Sequence, residues 1–319
     1  MGYPGGKSGA GVFQRIINLL PPHRVYIEPF LGGGAIMRLK RPAAVNLGID
    51  LDQRAVHAVT LELARPLGAA VFGLPDLMKQ AHSSGAVSGE GTGAGVRIMS
   101  FRRGAGGTID IIEASGSPGP IVKAADGRRL DPLATAGEGR SPSFVLGVGD
   151  GLAFLKAYRF RGDEVVYCDP PYLMGTRPSG KRLYQFEMDA STHEDLLKVV
   201  RRLPCFCLVS GYQSTLYDRY LSEWHSEKFF AMTRGGGAAE TLWMNYRRPV
   251  ALHEYTYLGE GFRERERIKR KKTRWVAKLR TMPALERQAL LAAIAETGEP
   301  GEGLVIGGLL AGRGESTRS

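Results

Sequence analysis

The sequence has 319 residues, of which 43% are hydrophobic and 24% are charged, and its formal net charge is +11. That length and apolar content are ample for a sizeable core, organised as one large domain with an insert or tail, or as two domains. No apolar run approaches the roughly 20 residues of a membrane-spanning helix, and the first residues lack the basic start and apolar core of a signal peptide. The net positive charge favours polyanionic partners.

Much of that charge lies in one segment. Between residues 263 and 280 there are ten Lys and Arg residues against two Glu, which gives a local charge of +8. Subtracting +8 from the net +11 leaves +3 for the rest of the chain. The segment is expected to add sequence-independent affinity for nucleic acid that falls as the salt concentration rises.

The cysteines indicate a reducing compartment. Their number is three, Cys168, Cys205 and Cys207, and no export signal accompanies them. A reducing interior such as the cytoplasm is therefore expected. No His or Cys nearby completes a zinc set with Cys205 and Cys207, so they are predicted to be buried small hydrophobic residues, and no metal is expected.

In the first 70 residues, helices and strands surround a glycine loop. Apolar spacing predicts a helix over 8–20, a strand over 25–28, a helix over 35–39, a strand over 45–49 and a helix over 55–67. The loop between the first strand and the second helix contains Gly32, Gly33 and Gly34. Strand, glycine loop and helix form the arrangement in which backbone approaches a ligand closely.

Asp50 ends the second strand, about 20 residues after this loop, where nucleotide-binding folds place an acid on ribose hydroxyls. The glycines lack the G-x-G-x-x-G spacing of dinucleotide folds. The loop therefore indicates an adenosine-containing ligand, with a purely structural turn as the alternative.

From about residue 73 to residue 143 the periodic pattern breaks down into a glycine-rich insert. Short strand-like pieces occur at 97–101, 108–112 and 120–123, which predicts a loop-rich, partly β subdomain. Several Arg and Lys residues lie in it, and either a solvated surface or a nucleic-acid contact would explain them.

After the insert, Asp150 precedes a predicted helix over 152–158, and a buried strand follows over 165–168. This strand stops at Asp169-Pro170-Pro171-Tyr172. Two prolines cannot continue a β ladder, so they form a stiff corner at the sheet rim, where α/β folds bind ligands.

The remaining pattern predicts further helices and strands. A helix should start near Asp189, with Ser191 and Glu194 spaced as a capping box and His193 solvated rather than catalytic. A strand over 205–209 and a hairpin of 228–232 with 241–246 follow. Residues 262–296 should form two helices broken near Pro283, and the tail from residue 297 should be disordered. Alternating strands and helices predict a mostly parallel sheet with an antiparallel edge, covered on both faces.

Five elements stand in the order found in DNA adenine-specific methyltransferases that carry an Asp-Pro-Pro-Tyr motif. They are aromatic-x-Gly-Gly-Lys from Tyr3 to Lys7, Glu-Pro-Phe-x-Gly-x-Gly from Glu28 to Gly34, the acid Asp50, Asp-Pro-Pro-Tyr from Asp169 to Tyr172, and Glu-x-Leu-Trp-x-Asn from Glu240 to Asn245. Over roughly residues 1–72 and 149–250 the chain thus resembles the DNA adenine methylase family, as a phage-like member.

The resemblance implies a Rossmann-like S-adenosylmethionine-dependent methyltransferase fold of the α/β class, with a mostly parallel sheet, an antiparallel edge and a loop-rich insert. Residues 1–72 and 144–258 would form a discontinuous catalytic domain. Residues 73–143 stand where the family carries its target-recognition region, although they are glycine-rich and poor in apolar residues. Residues 259–296 would be a basic helical extension.

Site roles also follow from the resemblance. The residues expected at S-adenosylmethionine are Tyr3, Lys7, Glu28, Pro29, Phe30, Gly32, Gly34, Asp50, Asp150 and Asp169. Asp169 and the Pro170 carbonyl would accept hydrogen bonds from the exocyclic amine of the target adenine, and Tyr172 would stack on the flipped base.

Residues after the motif are candidates for further substrate contacts. Phe186 could form a second wall for the base, with core packing as the alternative. Arg177, Lys181 and Arg182 are candidates for phosphate contacts.

Double-stranded DNA is the expected partner, and the protein is expected to act as a monomer or weak dimer away from membranes. The resemblance implies a location in the cytoplasm of a bacterial or phage-infected cell, associated with the nucleoid. A cognate restriction endonuclease would be a functional companion, not a physical partner. Two alternatives remain open at this point. One is an amino methyltransferase acting on cytosine, RNA or a protein amide, and the other is a catalytically silent nucleic-acid-binding protein.

Overall fold

The computed structural model describes residues 6–64, 97–103, 109–114, 122–123, 129–130, 142–177, 180, 182–233 and 236–296. Tyr3, Lys181, most of the insert and the tail from residue 297 lie outside these ranges, so the predictions made for them stay predictions.

A large sheet forms the centre of the protein. In chain order the strands of the described residues are β1 (Val25–Glu28), β2 (Val45–Asp50), β3 (Arg97–Arg103), β4 (Ile109–Ala114), β5 (Val122–Lys123), β6 (Arg129–Leu130), β7 (Ser143–Val148), β8 (Glu164–Cys168), β9 (Phe206–Gly211), β10 (His225–Thr233) and β11 (Gly236–Met244). Nine of them form one sheet in the order β10-β11-β9-β8-β1-β2-β7-β3-β4, and β5 pairs with β6 separately.

The five central strands, β9-β8-β1-β2-β7, are all parallel. From β1 the chain moves outward through β2 to β7 on one side, and it then crosses back to β8 and β9 on the other. The direction of winding therefore reverses between β1 and β8, and doubly wound sheets bind ligands beyond the carboxyl ends of the strands at that point. The predicted α/β fold with a mostly parallel, Rossmann-like sheet is confirmed.

Antiparallel strands close both edges of the sheet. Next to β9, β11 runs antiparallel to both β9 and β10, which confirms the predicted hairpin. At the other edge, β3 pairs antiparallel with β7, and β4 pairs antiparallel with β3. The strand-like pieces predicted at 97–101 and 108–112 correspond to β3 and β4, and these two strands extend the central sheet.

Helices cover the sheet. They are α1 (Val12–Ile17), α2 (Ala35–Leu39), α3 (Gln53–Ala64), α4 (Gly151–Ala157), α5 (Ala190–Val200), α6 (Thr215–Leu221), α7 (Phe262–Thr281) and α8 (Ala284–Glu296). The α1 helix is shorter than the predicted span of 8–20. The predicted break near Pro283 is confirmed, because α7 ends at Thr281 and α8 begins at Ala284.

Two details of α5 correct the sequence prediction. Its cap is Asp189, whose carboxylate accepts a hydrogen bond from the Thr192 backbone at 2.8 Å, so the predicted Ser191–Glu194 capping box does not begin the helix. His193 is fully buried rather than solvated, and its Nδ1 lies 3.0 Å from the Tyr217 hydroxyl. Burial lowers the pKa of His193 to about 4, so the ring is neutral at physiological pH.

The core has one apolar cluster on each face of the sheet. Ile16, Leu20, Leu146, Leu208 and Met244 belong to one cluster, and Ile27, Val166, Leu196, Cys207 and Trp243 belong to the other. The cysteines are free and buried, as predicted, and burial raises the pKa of the Cys205 thiol to about 12. Among helices of the described ranges, none combines the length and the apolar content needed to cross a bilayer.

Candidate active site

Lys7 connects the Asp-Pro-Pro-Tyr corner to the late hairpin. Its ammonium group lies 2.9 Å from Asp169 Oδ1 and 3.3 Å from Glu240 Oε2, and it donates to the Tyr172 hydroxyl at 2.7 Å. Only 4% of the Lys7 side chain is exposed. Burial lowers the pKa of Lys7, but the Asp169 and Glu240 carboxylates more than offset this, so its pKa is raised and the amine stays charged.

Ser210, at the end of β9, completes this network. Its hydroxyl donates to Asp169 Oδ1 at 2.9 Å and lies 2.9 Å from the Tyr172 hydroxyl. The Tyr172 hydroxyl in turn donates to Glu240 Oε2 at 2.8 Å. Burial raises the pKa of Glu240, and Lys7 partly counters the effect.

The two carboxylate oxygens of Asp169 differ in environment. Oδ1 contacts the Lys7 ammonium and accepts a hydrogen bond from the Ser210 hydroxyl. Within the described part of the chain, no donor contacts Oδ2, and the side chain is 20% exposed at the rim of the pocket. Asp169 is thus fixed through one oxygen while the other remains available as an acceptor.

The glycine loop after β1 is tied to the end of β2. The Gly32 backbone N–H donates to Asp50 Oδ2 at 2.7 Å, and the other oxygen of Asp50 accepts from the Asp52 backbone at 2.8 Å. Gly32 and Gly34 have φ values of 47° and 56°, a region that favours glycine. A side chain at Gly34 would also meet Val59 at 2.9 Å.

Glu28 is buried beneath this loop. It accepts a hydrogen bond from the Tyr26 hydroxyl at 2.6 Å, and burial raises its pKa to about 7. Burial also lowers the pKa of the nearby Lys40 to about 7, against the attraction of Glu28.

The start of α4 packs directly on the same loop. A Cβ atom at Gly151 would lie 1.8 Å from the Pro29 carbonyl oxygen, so only glycine allows this approach. Asp150 caps the helix by accepting from the Leu152 backbone at 2.8 Å.

The segment after Tyr172 folds back over the pocket. Arg177 donates to the Tyr172 carbonyl and forms a bidentate ion pair with Glu187, with Nη1 2.9 Å from Oε1. This hydrogen bonding lowers the pKa of Glu187 to about 2. The predicted phosphate contact of Arg177 is wrong for this conformation, because its side chain is buried and engaged.

One pocket collects most of the predicted site residues. The predicted residues that line it are Lys7, Glu28, Pro29, Phe30, Gly32, Gly34, Asp50, Asp150, Asp169 and Phe186. Pro170 and Tyr172 are buried beside it, Pro171 lines it instead, and Arg182 is exposed outside it. The roles predicted for Pro170, Tyr172 and Arg182 stay predictions.

Stacking of a base on Tyr172 would need a rearrangement. The ring is 4% exposed, and Tyr212 meets it edge-on with centroids 4.7 Å apart. The aromatic rings that face the pocket from the following segment are Tyr184 and Phe186, and Phe186 is 42% exposed. The partial exposure of Phe186 speaks against the core-packing alternative.

Sequence reasoning missed Tyr167, which also lines the pocket. Its hydroxyl is buried and has no hydrogen-bond partner among the described residues. An alternating strand pattern places residue 167 on the same side as residue 169, and that signal could have identified it.

No group of three or more His, Cys, Asp or Glu side chains in the described ranges could hold a metal ion. No protein-family model matches the chain, and no relative is found among characterised proteins.

The solved structures that match the chain include TrmK and two enzymes named as rRNA methylating enzymes. TrmK from M. capricolum, bound to S-adenosylhomocysteine, is 8% identical, with a TM-score of 0.34 over 89% of this chain and 95% of that one. The rRNA methyltransferase aviRa from Streptomyces viridochromogenes is 15% identical, with a TM-score of 0.35 over 76% and 87%. An rRNA methylase from Streptococcus thermophilus is 9% identical, with a TM-score of 0.32 over 73% and 93%. Such low values carry nothing about substrate.

Proposed function

We propose that this protein transfers a methyl group from S-adenosylmethionine to the exocyclic amino group of adenine in DNA. The observation that carries the proposal is the anchored Asp169, whose Oδ1 holds two donors while Oδ2 contacts no donor of the described residues and the side chain lines the pocket. The motif order described above supports the same reading.

The charge of the pocket suits a cationic ligand. Glu28, Asp50, Asp150 and Asp169 line it, and Lys7 is the cation there. A sulfonium that also carries an ammonium group complements this excess of carboxylates. A dinucleotide fits poorly, because the Gly32 N–H that would cradle a phosphate is already donated to Asp50.

The unpartnered Tyr167 hydroxyl gives a second test of fit. A buried hydroxyl without a partner costs free energy, and a bound ligand with a polar group would relieve that cost. Tyr167 lines the pocket beside the carboxylates, so a ligand that reached its hydroxyl would supply the missing partner.

The cofactor, when bound, supplies an electrophilic methyl group. An aromatic amine is a weak nucleophile, because its lone pair is delocalised into the ring. Asp169 Oδ2 would accept an N–H bond of the amine and orient the lone pair, while Lys7 and Ser210 hold the carboxylate in place. Catalysis of this kind depends on positioning and electrostatics, and it needs no covalent intermediate with the protein.

The substrate base would have to leave the duplex to reach Asp169. Phe186 and Tyr184 present aromatic surface in the pocket, which offsets part of the cost of unstacking. The Arg177–Glu187 ion pair holds the segment that carries these two rings.

A direct test incubates the protein with duplex DNA and methyl-labelled S-adenosylmethionine, followed by digestion to nucleosides. We expect label in N6-methyl-2′-deoxyadenosine from the DNA, its loss in Asp169→Asn, and retention in Asp195→Asn, a control on the exposed side of α5. Label in a cytosine nucleoside, or in RNA alone, would assign the alternative acceptor. Bound cofactor with no label in any acceptor would overturn the proposal.

A further inference from the structure

The α7 helix is a long cationic rod that no part of the described protein covers. None of its residues is buried, and Trp275 is 50% exposed. Its 20 residues correspond to about 30 Å at 1.5 Å per residue. A helix in a globular domain ordinarily buries an apolar stripe against its neighbours, and α7 does not.

The cations of α7 divide into two sets. In the first half, Arg267 pairs with Glu264 at 3.4 Å and Lys269 with Glu266 at 3.9 Å. From residue 270 onward, no carboxylate of the described chain pairs with the cations, which are Arg270, Lys271, Lys272, Arg274, Lys278 and Arg280. Arg270, Arg274 and Lys278 follow one another at intervals of four and therefore lie on one face, where like charges repel.

We infer that the second half of α7 binds the phosphate backbone of duplex DNA without reading its sequence. The proposed function supplies the reason for choosing DNA as the polyanion. A duplex presents one negative charge per roughly 1.7 Å of its axis, a density that six cations over three turns of helix can match. Phosphate contacts would also relieve the repulsion within α7.

An anionic membrane is the other partner that a basic helix could suit. A membrane-surface helix needs one broad apolar face opposite its charges. In α7, Ile268, Trp275 and Leu279 form an apolar stripe at 100° per residue. Lys272 separates this stripe from the apolar Val276, and Lys271 borders it on the other side, so cations interrupt the apolar face. This distribution favours a phosphate backbone over a bilayer.

Binding by α7 would add non-specific affinity for DNA to that of the catalytic domain. The candidate catalytic residues lie at the pocket, so α7 would hold the enzyme on DNA while a target adenine is found. Such contacts allow a protein to slide and hop along the duplex.

The test compares two variants with the same net charge. One carries Arg270→Gln, Lys271→Gln, Lys272→Gln and Arg274→Gln. The control carries Lys156→Gln, Lys198→Gln, Arg201→Gln and Arg202→Gln, which are exposed cations of α4, α5 and the following turn. Each protein is titrated into a fluorescein-labelled duplex between about 50 and 200 mM salt, with fluorescence anisotropy as the readout.

Loss of four phosphate contacts should make the slope of log K against log salt less steep by about 3.6, at 0.9 per contact. The control should keep the wild-type slope. Equal slopes for wild type and the α7 variant would overturn the inference, and so would an equal loss in the control. Binding of wild type to phosphatidylserine vesicles but not to the duplex, abolished in the α7 variant, would assign the membrane instead.

Failure of this inference can be told apart from failure of the proposed function. Asp169→Asn should bind the duplex with the wild-type slope, whether or not methylation occurs. The α7 variant should keep the wild-type turnover at saturating DNA and low salt, and it should lose activity faster as salt rises.

Discussion

Replacing Lys7 by Met would test the electrostatic core of the site. The substitution keeps most of the side-chain volume and removes the ammonium group that contacts Asp169, Tyr172 and Glu240. Glu240 would then face the Asp169 carboxylate with the Tyr172 hydroxyl as its remaining donor, at 2.8 Å. Removing one partner from a buried ion pair costs about 3–5 kcal/mol, because the other charge stays buried.

The size of this loss should depend on pH. Burial already raises the pKa of Glu240 above its ordinary value of 4.5, and without Lys7 the pKa would rise further. The folded variant would then hold a proton that its unfolded chain has released. Because the folded state binds more protons over this interval, its stability falls as pH rises. The deficit against wild type should therefore be small near pH 4.5 and largest above the new pKa of Glu240.

Urea unfolding at several pH values measures this deficit. The matched control is Lys198→Met, which removes a lysine from an exposed pair with Glu194 at 2.9 Å and should leave stability nearly unchanged, because solvent screens that pair. A Lys7→Met deficit equal to that of the control, or one that shrinks as pH rises, would refute the reasoning.

Two further substitutions probe the pocket. Tyr167→Phe removes an unpartnered hydroxyl, so the free energy of unfolding should not fall, while affinity for S-adenosylhomocysteine in calorimetry should drop about 5-fold, or about 1 kcal/mol. Unchanged affinity would remove Tyr167 from the binding site. Gly151→Ala places a methyl group against the Pro29 carbonyl and should cost about 1–3 kcal/mol in unfolding, with weaker cofactor binding. Gly175→Ala, which meets nothing within 4 Å, is its control, and equal stability of the two variants would contradict the packing argument.

Local patterns predicted much of the fold. The strand at 25–28 and the corner at Asp169 are marked by apolar runs that stop at prolines, and the helix break before Pro283 has the same cause. The hairpin of β10 and β11 follows from two strand-like runs around a glycine turn. These features depend on neighbouring residues, so sequence alone contains them.

Long-range contacts account for what the sequence did not reveal. His193 is buried because Tyr217, from another helix, packs against it, and Arg177 is engaged because Glu187 returns to it. The position of β3 in the sheet depends on its pairing with β7, a strand about 40 residues further along the chain. The order of the motifs along the chain predicted that Lys7 and Asp169 belong to one site. It did not predict that the Tyr172 ring is buried, because that burial depends on long-range packing.

The Lys7 network also has a consequence for the order in which the protein can mature. Its first member is near the start of the sequence, while its last, Glu240, is in β11, after all five parallel strands. During synthesis the Lys7 ammonium group would therefore lack its Glu240 partner until the hairpin has emerged from the ribosome. A nascent chain with a complete parallel sheet would still lack a finished active site, so activity should appear only with the final strands.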